Sequence, residues 1–166
     1  MAIYPIRTFG DPVLRSPTKP ILEIDETVRA LAEDMIETMY DAPGVGLAAN
    51  QIGIQRRIAV FDAHDEQGPR VMINPEIVET SGEYEYEEGC LSVPGYYWEI
   101  ARRAFARVRA IDLDGNEIEY AGDELLGRVL QHEVDHLDGG LLLDHLPKGV
   151  RKKAMKELRE ESLNLG

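Results

Sequence analysis

Only one cysteine, Cys90, occurs in the 166 residues, so no intramolecular disulfide can staple this fold. Basic residues are scarce as well: 18 Lys and Arg stand against 31 Asp and Glu, a net charge of −13. A chain without a bulk positive field cannot displace counterions from phosphates, which excludes general nucleic-acid binding, DNA included. No apolar run reaches membrane-spanning length, and no apolar signal core stands near the N-terminus. The expectation is a cytoplasmic protein with no membrane partner. Repeats, low-complexity tracts and linkers are also missing, so residues 1–166 are read as one domain with its own core.

The charge that is present is unevenly spread. Six basic and three acidic residues between Lys148 and Gly166 give the tail a charge of +3 and leave −16 for the rest. The first 24 residues hold Pro5, Pro12, Pro17 and Pro20 and read as an extended lead-in. Asp25 is an N-cap candidate. The residues Val28, Leu31, Ala32, Met35, Ile36 and Met39 then recur at helical spacing as far as Asp41–Gly44. Strands are expected at 56–63, 70–74 and 76–88, with turns at Asn74-Pro75 and Ser81-Gly82. A hairpin about Asp114-Gly115 joins 103–112 to 117–121. A helix capped by Asp123 runs to about Asp138 and stops at Gly139-Gly140, and a last helix covers roughly 148–160. Strands in hairpin order predict an α+β fold with antiparallel sheets.

The helix before Gly139 carries the chemistry. It contains Gln131-His132-Glu133-Val134-Asp135-His136, and residues four apart lie one turn above each other. Both imidazoles can thus reach one metal ion, with Glu133 placed to take a proton from water: the H-E-x-x-H arrangement of metal-assisted hydrolysis. On a helical wheel Glu124, Arg128, Gln131, Asp135 and Asp138 form a polar arc. Leu125, Val129, His132 and His136 form the next, and Leu126, Leu130 and Leu137 a third, with Glu133 on a boundary. So wide an apolar arc belongs to a helix covered by other elements.

Such a pair needs a third protein ligand. The pattern H-E-x-x-H-x-x-G-x-x-H is met as far as Gly139 and then fails at Leu142; His145 comes three residues later. Glu157, Glu160 and Glu161 sit among Lys and Arg and read as solvated helix charges. Cys90, in Glu87-Glu88-Gly89-Cys90-Leu91-Ser92, is the better candidate, although a single cysteine is more often an inert core residue. One thiolate and two imidazoles leave a tetrahedral position open, as catalytic sites require.

Gly44-Val45-Gly46-Leu47-Ala48-Ala49-Asn50-Gln51 adds a Gly-rich segment that does not match a phosphate-binding loop. In order, G-V-G-L-A-A-N-Q, E-G-C-L-S and Q-H-E-V-D-H-L-D-G resemble the three signature motifs of peptide deformylases. The resemblance implies antiparallel sheets around a central metal-binding helix. It implies an enzyme that removes the formyl group from the N-terminal formyl-methionine of newly made proteins. Carried over to this chain, Cys90, His132 and His136 bind the metal and Glu133 is the general base and acid. The Gln51 amide and the Leu91 backbone N–H stabilise the oxyanion, and Gly46 and Gly89 approach the substrate backbone. Val45, Leu125, Val129 and His132 line the methionine pocket. The implied cofactor is Fe(II), with Zn(II), Ni(II) or Co(II) able to substitute. Where several members carry an Arg after the Pro of the second motif, this chain has Gly95-Tyr96-Tyr97-Trp98, so an aromatic wall is expected there, with Arg128 as partial compensation.

Two alternatives stay open on the residues alone: a metallopeptidase cutting ordinary peptide bonds, and a structural zinc-binding module. The basic tail (Arg151, Lys152, Lys156, Arg159) has two readings of its own. One is docking on the ribosome, as the resemblance suggests; the other is an amphipathic helix packing through Val150, Ala154 and Leu158.

Overall fold

The structure, a computed structural model, describes residues 2–165. Its helices are α1 (Glu26–Asp41), α2 (Glu124–Leu137) and α3 (Lys148–Leu165). Its strands are β1 (Gly46–Ala48), β2 (Ile58–Phe61), β3 (Arg70–Ser81), β4 (Tyr84–Gly89), β5 (Tyr97–Arg102), β6 (Phe105–Ile111) and β7 (Glu117–Gly122). Short 3-10 turns cover Pro12–Arg15, Ala49–Ile52 and Leu142–His145. The strands form one five-stranded sheet in the order β1-β2-β3-β6-β7 and one two-stranded sheet, β4-β5. Every strand pairing is antiparallel, as the hairpin order of the sequence predicts.

The larger sheet is covered on both faces, and side-chain alternation sorts its residues between them. Leu47, Ile58, Val60 and Ile73 face α1, meeting Val28, Leu31, Ala32, Met35 and Met39. Their neighbours Ala48, Ala59, Phe61 and Met72 face α2, meeting Val129, Leu130, Val134 and Leu137. This double burial explains why Ile58–Phe61 is apolar throughout instead of alternating. Each large aliphatic side chain buried here contributes about 1.5–3 kcal/mol. α1 begins where expected, with the Asp25 carboxylate accepting from Val28 N–H at 3.1 Å.

Several expectations are corrected. Asn74-Pro75 is not a turn: β3 runs through it with a register shift between Ile73 and Glu76. Asn74 takes a left-handed φ of 52°, and its amide bonds both Ile21 N–H and Ile21 C=O at 2.8 Å. Asparagine tolerates that backbone and here replaces a strand partner for the lead-in. Asp123 occupies the N-cap position of α2, yet its side chain makes no capping bond, and Glu124 has a φ of 51°. β5 was not anticipated, nor was β1 within the Gly-rich segment. The last helix extends beyond 160. It packs Ala154 and Leu158 against Val93, Leu142, Leu143 and Leu146, while Val150 is exposed. Among the described residues, no helix is long and apolar enough to cross a membrane.

Candidate metal centre and its cleft

α2 enters the molecule between the two sheets, and its buried side carries His136 and Glu133. Cys90 follows directly after β4 and meets this helix. Cys90 Sγ lies 3.2 Å from His136 Nε2, and His136 Nε2 lies 3.1 Å from His132 Nε2. The three donor atoms all fall within 4.8 Å of one another. His145 is elsewhere, 2.7 Å from Asp135, and Leu142 is buried in the apolar cluster under α3. Glu157, Glu160 and Glu161 are exposed, as read.

The donor set fits a divalent metal ion. His132 directs Nδ1 at Glu88 Oε1, 2.6 Å away, which leaves Nε2 to face Cys90 and His136. Burial by itself would raise the Cys90 thiol, but the two imidazoles prevail and hold it well below the ordinary thiol value. Burial would likewise lower His132, but Glu133, Cys90 and Glu88 push it well above the ordinary imidazole value. The Cys90 thiolate and the Glu88 carboxylate beside two imidazoles thus favour a positive charge. Burial pushes Glu133 up from the carboxylate range, with Cys90 and Glu88 adding to the effect against the two histidines. Its Oε1 is buried without a hydrogen-bond partner. That is an orphan expected of a group waiting to exchange a proton.

Glu88 and Arg102 are the partners that the sequence reading missed. Both are almost fully buried, and Arg102 donates to Glu88 through Nε at 2.9 Å and a terminal nitrogen at 2.7 Å. Arg102 also reaches Asp135 at 2.9 Å. Burial opposes ionisation of Glu88, but His132 and Arg102 outweigh it and hold the carboxyl well below its usual range. The supposed polar arc of α2 is therefore partly enclosed, with Glu124 and Asp138 left exposed at its ends. Gln131 is buried too, bonding the Arg103 backbone through both ends of its amide. Glu88 stood in plain sight beside Cys90; its role depends on a contact 44 residues away.

A cleft of about 700 Å³ opens onto the cluster. Cys90, His132, Glu133, Gln51 and Leu91 all line it, whereas His136 lies behind them. So do Val45, Leu125 and Val129, together with Gly46 and Gly89. Gly46 is there for space: a Cβ would overlap the Glu133 carboxylate and stand 2.9 Å from Val129 Cγ2. At Gly89 it would stand 2.6 Å from the Tyr97 ring. The Gln51 amide is oriented by its neighbours. Its oxygen accepts from Ala48 N–H at 2.9 Å and its nitrogen donates to Ser92 Oγ at 3.1 Å, turning the donor end toward Cys90. Leu91 N–H makes no hydrogen bond among the described residues. The aromatic wall is real but smaller than expected: Tyr96 and Tyr97 line the cleft, while Trp98 stacks on Tyr96 and belongs to the cluster under α3.

Comparison with known proteins settles the family. The sequence model for polypeptide deformylase matches residues 3–152. The chain belongs to that family. The peptide deformylase of Saccharophagus degradans is 45% identical over 100% of both chains. A crystal structure of a peptide deformylase from Legionella pneumophila shares the fold with a TM-score of 0.91 and 44% identity, covering 99% of this chain and 98% of that one. Another, from Ehrlichia chaffeensis in complex with actinonin, gives 0.90 and 37%, covering 97% and 98%. The family consists of metal-dependent hydrolases that remove the N-formyl group from new polypeptides, and this chain carries a Cys/His/His cluster suited to such a metal.

Proposed function

We propose that deformylation proceeds at the floor of this cleft, with Cys90, His132 and His136 holding Fe(II) in the cell and Zn(II), Ni(II) or Co(II) able to replace it. A soft thiolate beside two imidazoles suits such ions better than magnesium or calcium. When bound, the ion supplies Lewis acidity at the formyl carbonyl. Glu133 takes a proton from the attacking water and later passes it to the leaving amine, as its raised carboxyl and unpartnered oxygen equip it to do. The developing oxyanion is met by Gln51 Nε2 and the Leu91 N–H. One such donor typically contributes about 10²–10³-fold in rate. The formyl-methionine side chain lies against Val45, Leu125, Val129 and His132, and the peptide leaves past Gly46 and Gly89.

The observation that carries this reading is the meeting of a thiol and two imidazoles with a buried Glu133, one oxygen of which has no partner, at the end of the cleft. The substrates are N-formyl-methionyl nascent chains, and the setting is the cytoplasm. The exposed basic residues of α3 dock near the site where those chains emerge from the ribosome. Anaerobic purification with metal analysis, followed by formate release from formyl-Met-Ala-Ser against its N-acetyl counterpart, tests the reading. Equal turnover of the two peptides overturns it. Co-sedimentation with ribosomes, with and without residues 148–166, tests the docking; no difference ends that part.

A further inference from the structure

Arg128 is an odd wall for a methionine pocket. It shares the cleft-facing side of α2 with Leu125, Val129 and His132, following Leu125 by three residues and preceding His132 by four, and it lines the same cleft. Its side chain is only 12% exposed. Its guanidinium carbon lies 3.3 Å from the centre of the Tyr86 ring, so a cation–π contact holds its position. Yet it donates no hydrogen bond among the described residues, and its Nε is buried without a partner. Its ion pair with Glu88 Oε2 is long, 3.7 Å and beyond hydrogen-bond range, and Glu88 is shared with Arg102 and His132. A largely buried guanidinium that lies over Tyr86 and donates no hydrogen bond among the described residues thus borders the Leu125 and Val129 side of the cleft.

A thioether cannot use those donors, because its sulfur is a weak acceptor. A sulfoxide can. Oxidised methionine carries a strongly polar S=O on the same chain length, and an apolar pocket would have to strip that oxygen of water without compensation. From this geometry we propose that Arg128 extends the substrate range to peptides beginning with formyl-methionine sulfoxide, its guanidinium donating to the sulfoxide oxygen. The inference rests on the deformylase reading above. The reaction is unchanged: water adds across the formyl C–N bond, formate leaves, the amine gains the proton, and the sulfoxide oxygen is neither added nor removed. Because the guanidinium is held to one side of the pocket over Tyr86, one of the two sulfoxide epimers is favoured.

The test uses the metal-loaded full chain and formate release from Ala-Ser peptides starting with formyl-methionine, formyl-norleucine or each epimer of formyl-methionine sulfoxide. Hydrogen bonds to charged groups are worth about 1.5–3 kcal/mol, so the expected effect is roughly 10–100-fold. The native protein should turn over the better epimer with kcat/KM within about tenfold of formyl-methionine. Arg128→Leu should lower that epimer by a further 10–100-fold relative to norleucine measured on the same sample. Norleucine, which has no sulfur, corrects for any general damage to the site. Arg128→Lys keeps the charge without the guanidinium; it should lose the epimer preference, and it serves if the leucine variant does not fold. The proposal is overturned if the native protein rejects both epimers as strongly as the variants do, or if the substitutions lower all substrates by one common factor. Failure to hydrolyse formyl-methionine or formyl-norleucine would instead overturn the deformylase reading itself.

Discussion

His132 Nδ1 and Glu88 Oε1 stand 2.6 Å apart and join two motifs separated by 44 residues. Arg102, at 2.7 Å on the same carboxylate oxygen, keeps Glu88 ionised and in place. The contact decides which nitrogen of His132 faces Cys90 and His136, and it fixes the ring's orientation.

Glu88→Gln should therefore weaken metal binding by about 10–100-fold while leaving all three ligands intact. It also leaves Arg102 with Asp135 as its one carboxylate partner and an amide oxygen in place of the other; breaking a buried pair costs about 3–5 kcal/mol when no partner remains, so a smaller loss is expected here. Chelator competition measures the first effect and urea denaturation the second. An unchanged metal affinity would mean that the contact serves packing only.

Glu133→Ala should retain the metal and lose about 10²–10⁴-fold in kcat, since the buried carboxylate is assigned to proton transfer and not to ligation. Metal analysis beside a formate-release assay separates the two functions. Near-normal turnover would remove Glu133 as the base.

Cys90→Ser should reduce metal content after gel filtration, because a hydroxyl at Sγ cannot ionise as the thiol does under the two imidazoles. Full retention of the metal in this variant counts against Cys90 as a ligand.

Gly46→Ala adds a methyl group that overlaps the Glu133 carboxylate. The fold should survive, because Gly46 lies in the edge strand β1, but displacing the base by about 1 Å should cost roughly 10²-fold in kcat/KM. Circular dichroism checks the fold and steady-state kinetics the loss; unaltered kinetics would show that Glu133 moves aside freely.

Asp144 gives a pH prediction away from the metal. Burial raises its carboxyl, but Arg15, bonded at 2.7 and 2.8 Å, and Leu141 N–H together hold it below the ordinary 3.8. The folded pKa is depressed, so the contribution is complete above pH 3.8 and is lost as the pH falls below it. Both partners are about one-third or more exposed, which limits the effect to about 0.2–1 kcal/mol. Arg15→Met should lower the urea midpoint at pH 7 and converge with the native protein near pH 2. A constant gap across that range would contradict the assignment.

Much of the site was legible because its residues sit close together in the chain. His132 and His136 share a helix face by spacing alone, and the failure at Leu142 pointed away from a third histidine. The setting of Cys90 made it the third candidate, and resemblance to three ordered motifs then supplied Gln51 and Leu91. The less legible parts are tertiary. Gln131 and Asp135 look like solvent-facing residues on a wheel, yet Gln131 bonds the Arg103 backbone and Asp135 meets Arg102 and His145. Asn74-Pro75 carries every local mark of a turn, and only Ile21 approaching its amide makes it a bulge.

By itself the sequence determined what depends on neighbours along the chain: helix periodicity, hairpin order, the α+β class and the candidate metal-ligating residues. Tertiary structure alone decided what depends on distance through space. It set the convergence of Cys90 with His132 and His136, the burial that raises Glu133, the Glu88–Arg102 support behind His132, and the Tyr86 platform beneath Arg128. The division is physical. Periodicity is a property of one segment, whereas desolvation and charge pairing arise only when separate segments close water out from between them.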